Sequence, residues 1–364
     1  MIACCPPEPG GDLLVDRLVA GGLLRPAVLL RGLQLRRPAL SCWRVGLLMG
    51  LSGLLVEPLA WLQSWLWARR LRKAELPDDP IVVIGHWRSG TTYLHQLLAC
   101  DPTLATARNS LTTAPQVALL LKPWIRWALQ AWMTRKRPID AVPWGPNDPQ
   151  EDELGLARLS IDTNMAGMAF PLAYPWFFRR NVLGSSAAFE RQWLHFTKLT
   201  WLHDGHGKAG LLIKNSAHSA RVELVLRHFP RARFVLLRRD RQDSIRSLVQ
   251  VKQRLGSLVG LQPLPDAVTQ VEETVAAHRQ LLEAFEASRH RIPAGQLVEL
   301  PYEELIRHPL AALKRIYDEL GLSSWPVAQA PLSARIAQAR SYTADPVTLP
   351  LAAEQRLNDL MEEA

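Results

Sequence analysis

The chain has 364 residues, 48% hydrophobic and 21% charged, enough to bury one large core or two small ones. Its formal net charge of +9 suggests nucleic acid, but the charge forms no groove-like cluster and no nucleic-acid module appears, which excludes that as the main function. Cys4, Cys5, Cys42 and Cys100 have no metal-ligand spacing and adjacent Cys4 and Cys5 are poorly placed to bridge, so the chain reads as reduced and intracellular.

The first 75 residues hold ten Arg or Lys against five Asp or Glu, in a background of Leu, Val and Trp. Apolar runs at 45–56 and 59–67 are separated by Glu57-Pro58. Trp61, Trp65 and Trp67 then precede Arg69-Arg70-Leu71-Arg72-Lys73. No cleavage site of a signal peptide follows a short apolar core. A membrane-crossing helix needs about twenty unbroken apolar residues, and Glu57-Pro58 interrupts this stretch. Two readings remain: an amphipathic helix on the inner membrane surface, or a helical subdomain covering the sheet. Residues 1–78 are therefore a helical, basic and apolar extension, and 79–364 form one α/β domain.

That domain opens with the most informative stretch. Ile81 to Ile84 are apolar and mostly β-branched, the mark of a buried strand. Gly85 to Gly90 make a tight loop, and Thr91 opens a helix with Leu94, Leu97 and Leu98 at helical spacing. Such a loop at a helix N-terminus cradles anions through its backbone N–H groups and the helix dipole. The Gly85-x-x-x-x-Gly90 spacing begins like an ATP-type phosphate loop. That motif continues with Lys and Ser or Thr; here Thr91 and Thr92 follow, and the cation sits inside the loop as Arg88.

Between Val117 and Arg137, Trp124, Trp127 and Trp132 alternate with Lys122, Arg126, Arg135, Lys136 and Arg137. This stretch reads either as an acceptor-binding wall or as an amphipathic helix packed on the core. Asp148-Pro149-Gln150-Glu151-Asp152-Glu153 then brings three acids before a hydrophobic helix. Leu211 to Ile213 form a strand ending in Lys214-Asn215-Ser216-Ala217-His218, and Val222, Val225 and Leu226 continue as a helix stopped by Pro230. Ala232 to Leu237 form another strand. Arg238-Arg239-Asp240 follow, and a helix carries Ile245, Ser247, Leu248 and Val249. Last come Tyr302-Glu303-Glu304-Leu305 and a helix through Leu313, Ile316 and Leu320 to Gly321, expected to pack the core without chemistry.

Arg88-Ser89-Gly90-Thr91-Thr92 after a hydrophobic strand resembles the 5′-phosphosulfate loop of sulfotransferases that use 3′-phosphoadenosine 5′-phosphosulfate (PAPS). The likeness covers roughly residues 80–322, and Gly85-His86-Trp87-Arg88-Ser89-Gly90-Thr91-Thr92 is close to the bacterial branch. It implies a sulfotransferase fold, a P-loop-like parallel β-sheet flanked by helices. It implies that Arg88, Ser89, Gly90, Thr91 and Thr92 hold the 5′ side of the donor, and Arg239 and Ser247, eight residues apart, the 3′-phosphate. Lys214 resembles the lysine that meets the bridging region. His218 resembles the family's proton acceptor, although two more residues separate it from the lysine than in the cytosolic pattern. Glu153, or Asp152, is the rival base.

The resemblance thus implies an enzyme that moves a sulfuryl group from PAPS to an acceptor hydroxyl on a lipid, a glycan or a small hydrophobic alcohol, with cationic side chains and no metal. Two other classes remain in view: a phosphate-loop nucleotide kinase, against which the missing Gly-Lys-Ser/Thr counts, and a non-catalytic, membrane-associated protein of the same fold.

Overall fold

The computed structural model describes residues 13–132, 144–339 and 347–363, so Cys4, Cys5 and the Arg135-Lys136-Arg137 run lie outside the described residues. Five strands form one sheet: β1 (Ile81–Gly85), β2 (Leu104–Thr106), β3 (Gly210–Lys214), β4 (Arg233–Arg238) and β5 (Leu297–Pro301). Their order is β2-β3-β1-β4-β5, and every pairing is parallel. The strands β1, β3 and β4 and the helices between them fall where the hydrophobic patterning predicts. Strand β2, only three residues long, and β5 are additions to that reading.

Helices cover both faces of the sheet, which is why β1 is apolar and buried throughout. Alternation divides the core into two layers. Val82, Ile84, Phe234 and Leu236 meet Phe189, Trp193 and Phe196 on one side. Ile81, Val83, Val235 and Leu237 meet Leu94, Leu98 and the C-terminal helices on the other. There Leu305, Leu313, Ile316 and Leu320 are buried, as the sequence suggests. The chain runs from central β1 out to β2, back to β3, then across to β4 and β5, so the strand order reverses at β1. Ligands of open α/β sheets bind at that switch point, beyond the C-terminal ends of the strands. Val83 pairs with Lys214 and Gly85 with Leu237, so the ends of β1, β3 and β4 share one rim.

Three helices precede the sheet: α1 (Leu13–Gly21), α2 (Pro26–Leu35) and α3 (Trp43–Lys73). Glu57-Pro58, which separates the two apolar runs, does not break the helix. Pro58 lies inside α3 on an exposed turn and removes a single backbone donor. Adjacent Glu57 is fixed by an ion pair with Arg25 and accepts from Trp61 Nε1 at 3.0 Å. One face of α3 packs on the protein through Val45, Met49, Ser52, Gly53, Ala60 and Gln63. The helix α4 (Thr91–Leu98) follows β1 and buries Leu94, Leu97 and Leu98 as predicted.

Candidate active site

The loop after β1 turns through residues with positive φ: Gly85 at 133°, Arg88 at 69° and Gly90 at 92°. Glycine adopts such angles without the Cβ clash that other residues meet. At Gly90 a Cβ would also collide with the Tyr302 ring. Ser89 closes the turn, its Oγ donating to the His86 carbonyl at 2.7 Å and its N–H to the same oxygen at 3.2 Å. The first N–H groups of α4, at Thr91 and Thr92, have no acceptor one turn earlier and lie at the positive end of the helix dipole.

Arg88 reaches across the rim and donates from Nε to Ser247 Oγ at 2.9 Å. Ser247 is buried on the helix Arg241–Val259 that follows β4. Arg239, at the end of β4, donates from Nη1 to the Arg88 carbonyl at 3.1 Å. Its guanidinium lies 4.6 Å over the Tyr302 ring and 3.6 Å from Asp243. Three of the predicted donor-binding residues, Arg88, Arg239 and Ser247, therefore form one contiguous group. Tyr302 belongs to the same group as the platform beneath Arg239, so this tyrosine does more than pack the core. The Tyr-Glu-Glu-Leu pattern carried no sign of that, because the contact joins residues far apart in sequence.

Lys214 ends β3, buried, with Nζ paired to the Glu151 carboxylate. Glu151 also accepts from the Ser216 N–H at 3.2 Å. Its side chain keeps 14% of its surface exposed. The other candidate bases lie deeper. Glu153 accepts from Asn164 N–H at 2.5 Å, from Asn215 Nδ2 at 2.7 Å and from Arg221 Nη1 at 3.5 Å. His218 is 0% exposed, on a 3-10 turn at Ser216–Ala220 rather than on the following helix. Its Nε2 lies 3.4 Å from Asp152, and its ring packs edge-on to Trp193 at 5.2 Å. Glu151 belongs to the 151–153 run from which the sequence offers an acid as the rival base, and its contact with Lys214 spans 63 residues.

A second buried group underlies the loop. The His86 and His278 rings lie 4.1 Å apart, and both are pushed toward the neutral form. Burial is the main cause for each. For His278, burial and then repulsion by the Arg241 guanidinium bring the pKa to about 4. Beside them Lys252 sits 3.5 Å over the Tyr174 ring and donates to Thr274 Oγ1 at 3.2 Å.

The sequence profile of the sulfotransferase family matches residues 80–326. The ω-hydroxy-β-dihydromenaquinone-9 sulfotransferase Stf3 of Mycobacterium bovis is 27% identical over 288 residues, covering 78% of this chain and 74% of the relative. Stf3 of Mycobacterium tuberculosis matches equally. Among solved structures, the sulfotransferase STF9 of Mycobacterium avium superposes with a TM-score of 0.65 at 18% identity, over 96% of this chain and 88% of its own. STF1 of M. tuberculosis gives 0.63 at 17% identity, over 97% and 94%. At that identity these two structures speak for the fold alone. With a profile match spanning the loop, both cationic strand ends and all five strands, the chain belongs to the sulfotransferase family.

Proposed function

We propose that the enzyme takes a sulfuryl group from PAPS and transfers it to a hydroxyl of an apolar acceptor, a lipid alcohol above all. The observation that carries the reading is the Arg88–Ser247–Arg239 group. It joins the loop suited to the 5′ side of such a donor to the pair suited to its 3′-phosphate. Two guanidinium forks, a hydroxyl and a helix N-terminus are the donor set needed by a nucleotide that is anionic at both its 5′ and 3′ ends. Bound PAPS would supply the activated sulfur and leave as 3′-phosphoadenosine 5′-phosphate (PAP). The acceptor oxygen forms a bond to sulfur as the bond to the leaving phosphate breaks.

Arg88, Lys214 and the loop N–H groups would stabilise the charge that grows on the sulfuryl and leaving oxygens. Glu151 is our assignment for the base. It touches Lys214 and keeps an open edge, whereas His218 is sealed against Trp193 and Glu153 is taken up by three donors. Glu153 and His218 then serve by fixing the turn after β3.

Two observations support a lipid acceptor. Stf3 is named for a menaquinone derivative. A mostly apolar cavity of about 60 Å³ lies under α1, α2 and α3, lined by Leu24, Val28, Leu29, Met49, Phe170 and Val259. Its lining includes Thr163 and Met165, which flank the Asn164 whose N–H reaches Glu153. We extend the reading to a peripheral position on the inner face of the membrane, where such an acceptor would be presented.

The test is donor preference and product class. PAP should raise the melting temperature without Mg²⁺ and bind more tightly than 5′-AMP. Labelled sulfate from PAPS, supplied with a cell lysate, should enter the lipid fraction. Equal binding of PAP and 5′-AMP would overturn the donor assignment, and label confined to polysaccharide would overturn the acceptor.

A further inference from the structure

Exposed large apolar side chains are concentrated in the first third of this chain. Apart from Leu172, Ile306, Val327 and Leu351, all of them among the described residues lie between Leu14 and Trp132. Leu47, Leu51, Leu54, Leu55, Trp61 and Trp65 run along the outer face of α3, with Trp65 75% exposed. At 100° per residue they fall on one stripe, opposite the buried Val45, Met49, Ser52, Gly53, Ala60 and Gln63. A row of this size on a water-facing surface marks a contact site.

Gln63 links this stripe to a second one. It accepts from the Leu119 and Leu120 N–H groups at 2.7 and 3.0 Å and donates to the Pro115 carbonyl at 3.0 Å. Ala60, Val117, Leu121 and Ile125 close the seam. The helix Lys122–Trp132 is thereby held beside α3, with Trp124, Trp127 and Trp132 exposed. The tryptophans from these two helices, far apart in sequence, come from neighbouring elements.

By length and composition α3 could cross a bilayer. Its inner face argues otherwise. Ser52 Oγ accepts from the Leu23 N–H, Glu57 pairs with Arg25, and Gln63 makes the three bonds above. A crossing would drag these polar groups, and α2 with them, into hydrocarbon that satisfies none of them. The ends of α3 are basic: Arg37 and Arg44 are exposed at one, Arg69, Arg70, Arg72 and Lys73 at the other. Tryptophans with flanking arginines suit the interface of an anionic bilayer, where rings sit at headgroup level and cations meet lipid phosphate. A second copy of this chain would instead bring the two basic rims toward each other.

We infer that the outer face of α3 and the helix Lys122–Trp132 form one docking surface for an anionic bilayer, with α3 lying in the membrane plane. This deepens the lipid-acceptor reading, but its test uses no acceptor, so the two can fail separately. The purified full chain is sedimented with vesicles of phosphatidylcholine and phosphatidylglycerol at 7:3. The wild type should pellet with them, several-fold less with phosphatidylcholine alone, and be released by alkaline carbonate. Trp61→Ser with Trp65→Ser, and separately Trp124→Ser with Trp127→Ser, should each reduce partitioning roughly ten-fold, the loss expected when a large apolar contact is removed. PAP binding should be unchanged in both variants, which verifies folding. Three results would overturn the inference: a wild type that stays in the supernatant, including one that dimerises through this face; carbonate-resistant wild type, as a spanning helix gives; or variants that pellet as well as the wild type.

Discussion

Glu151 accepts from Lys214 and from the Ser216 amide, while Glu153, two residues on, accepts from three buried donors. The two carboxylates should therefore fail in different ways. Glu151→Gln should lower kcat by roughly 10²–10⁴, the range for a lost general base, with PAP affinity kept. Glu153→Ala should act on stability, because it strands the buried Arg221 guanidinium; breaking a buried pair costs about 3–5 kcal/mol. Calorimetry of both variants beside single-turnover assays separates the roles. A Glu151→Gln enzyme with normal turnover would remove that residue from the chemistry. At the other end of the site, Arg239→Ala should weaken PAP binding by roughly 10- to 150-fold, the 1.5–3 kcal/mol carried by hydrogen bonds to a charged group. It should barely change 5′-AMP binding. Titration calorimetry with both nucleotides reads that difference directly.

Between β1 and α4, the loop is held by backbone angle and by what lies beneath it. Gly90→Ala meets a positive φ, a cost of about 1–3 kcal/mol, and also displaces the Tyr302 ring that supports Arg239. Gly207→Ala is the control: its φ is +72° with open space around it, so it incurs the backbone cost alone. PAP affinity should fall in the first and hold in the second. The histidines under the loop add a pH dependence. Above pH ~6.5 their rings are neutral in folded and unfolded chains alike. Below it the unfolded chain takes up protons while buried His278 resists until about pH 4. The unfolded state then binds more protons, so stability should fall as pH drops through that window, by about 1.4 kcal/mol per unit for this one residue. Melting temperatures of the wild type and His278→Gln between pH 7 and 4 test it; parallel curves would show that His278 carries none of the slope.

This loop was legible in the sequence because its determinants are local: an apolar strand, two glycines five apart and a helix start within a dozen residues. The pairing of Arg239 with Ser247 is legible for the same reason, and the structure brings both to Arg88. The surroundings of the acidic run are not. Three acids on one turn point in three directions, and their partners, Lys214, Asn215, Arg221 and His218, arrive from about sixty residues away. Nor does local pattern tell that α3 runs through Pro58, since tertiary contacts at Arg25 and Gln63 hold both halves in line.

The whole molecule is held together across the boundary that composition suggests near residue 78. The Arg25 N–H donates to the Arg158 carbonyl at 3.0 Å, and Arg158 in turn donates to the Val19 carbonyl. The Ala39 N–H donates to the Leu261 carbonyl at 2.8 Å. Val45 and Met49 of α3 pack with Val251, Leu255, Leu258 and Val259 of the helix that carries Ser247. Removing residues 1–74 would bare that apolar face and leave buried polar groups of Arg158 without partners, each worth about 1–3 kcal/mol or more. Natural domains hold only about 5–15 kcal/mol in all. A chain beginning at residue 75 should therefore be largely insoluble, and any soluble fraction should melt well below the full chain and bind PAP weakly through the loosened Ser247 helix. Soluble yield, melting temperature and PAP titration of the two chains check this. A truncated chain that matched the full one in all three would mean that the N-terminal helices serve only the membrane and contribute nothing to the catalytic fold.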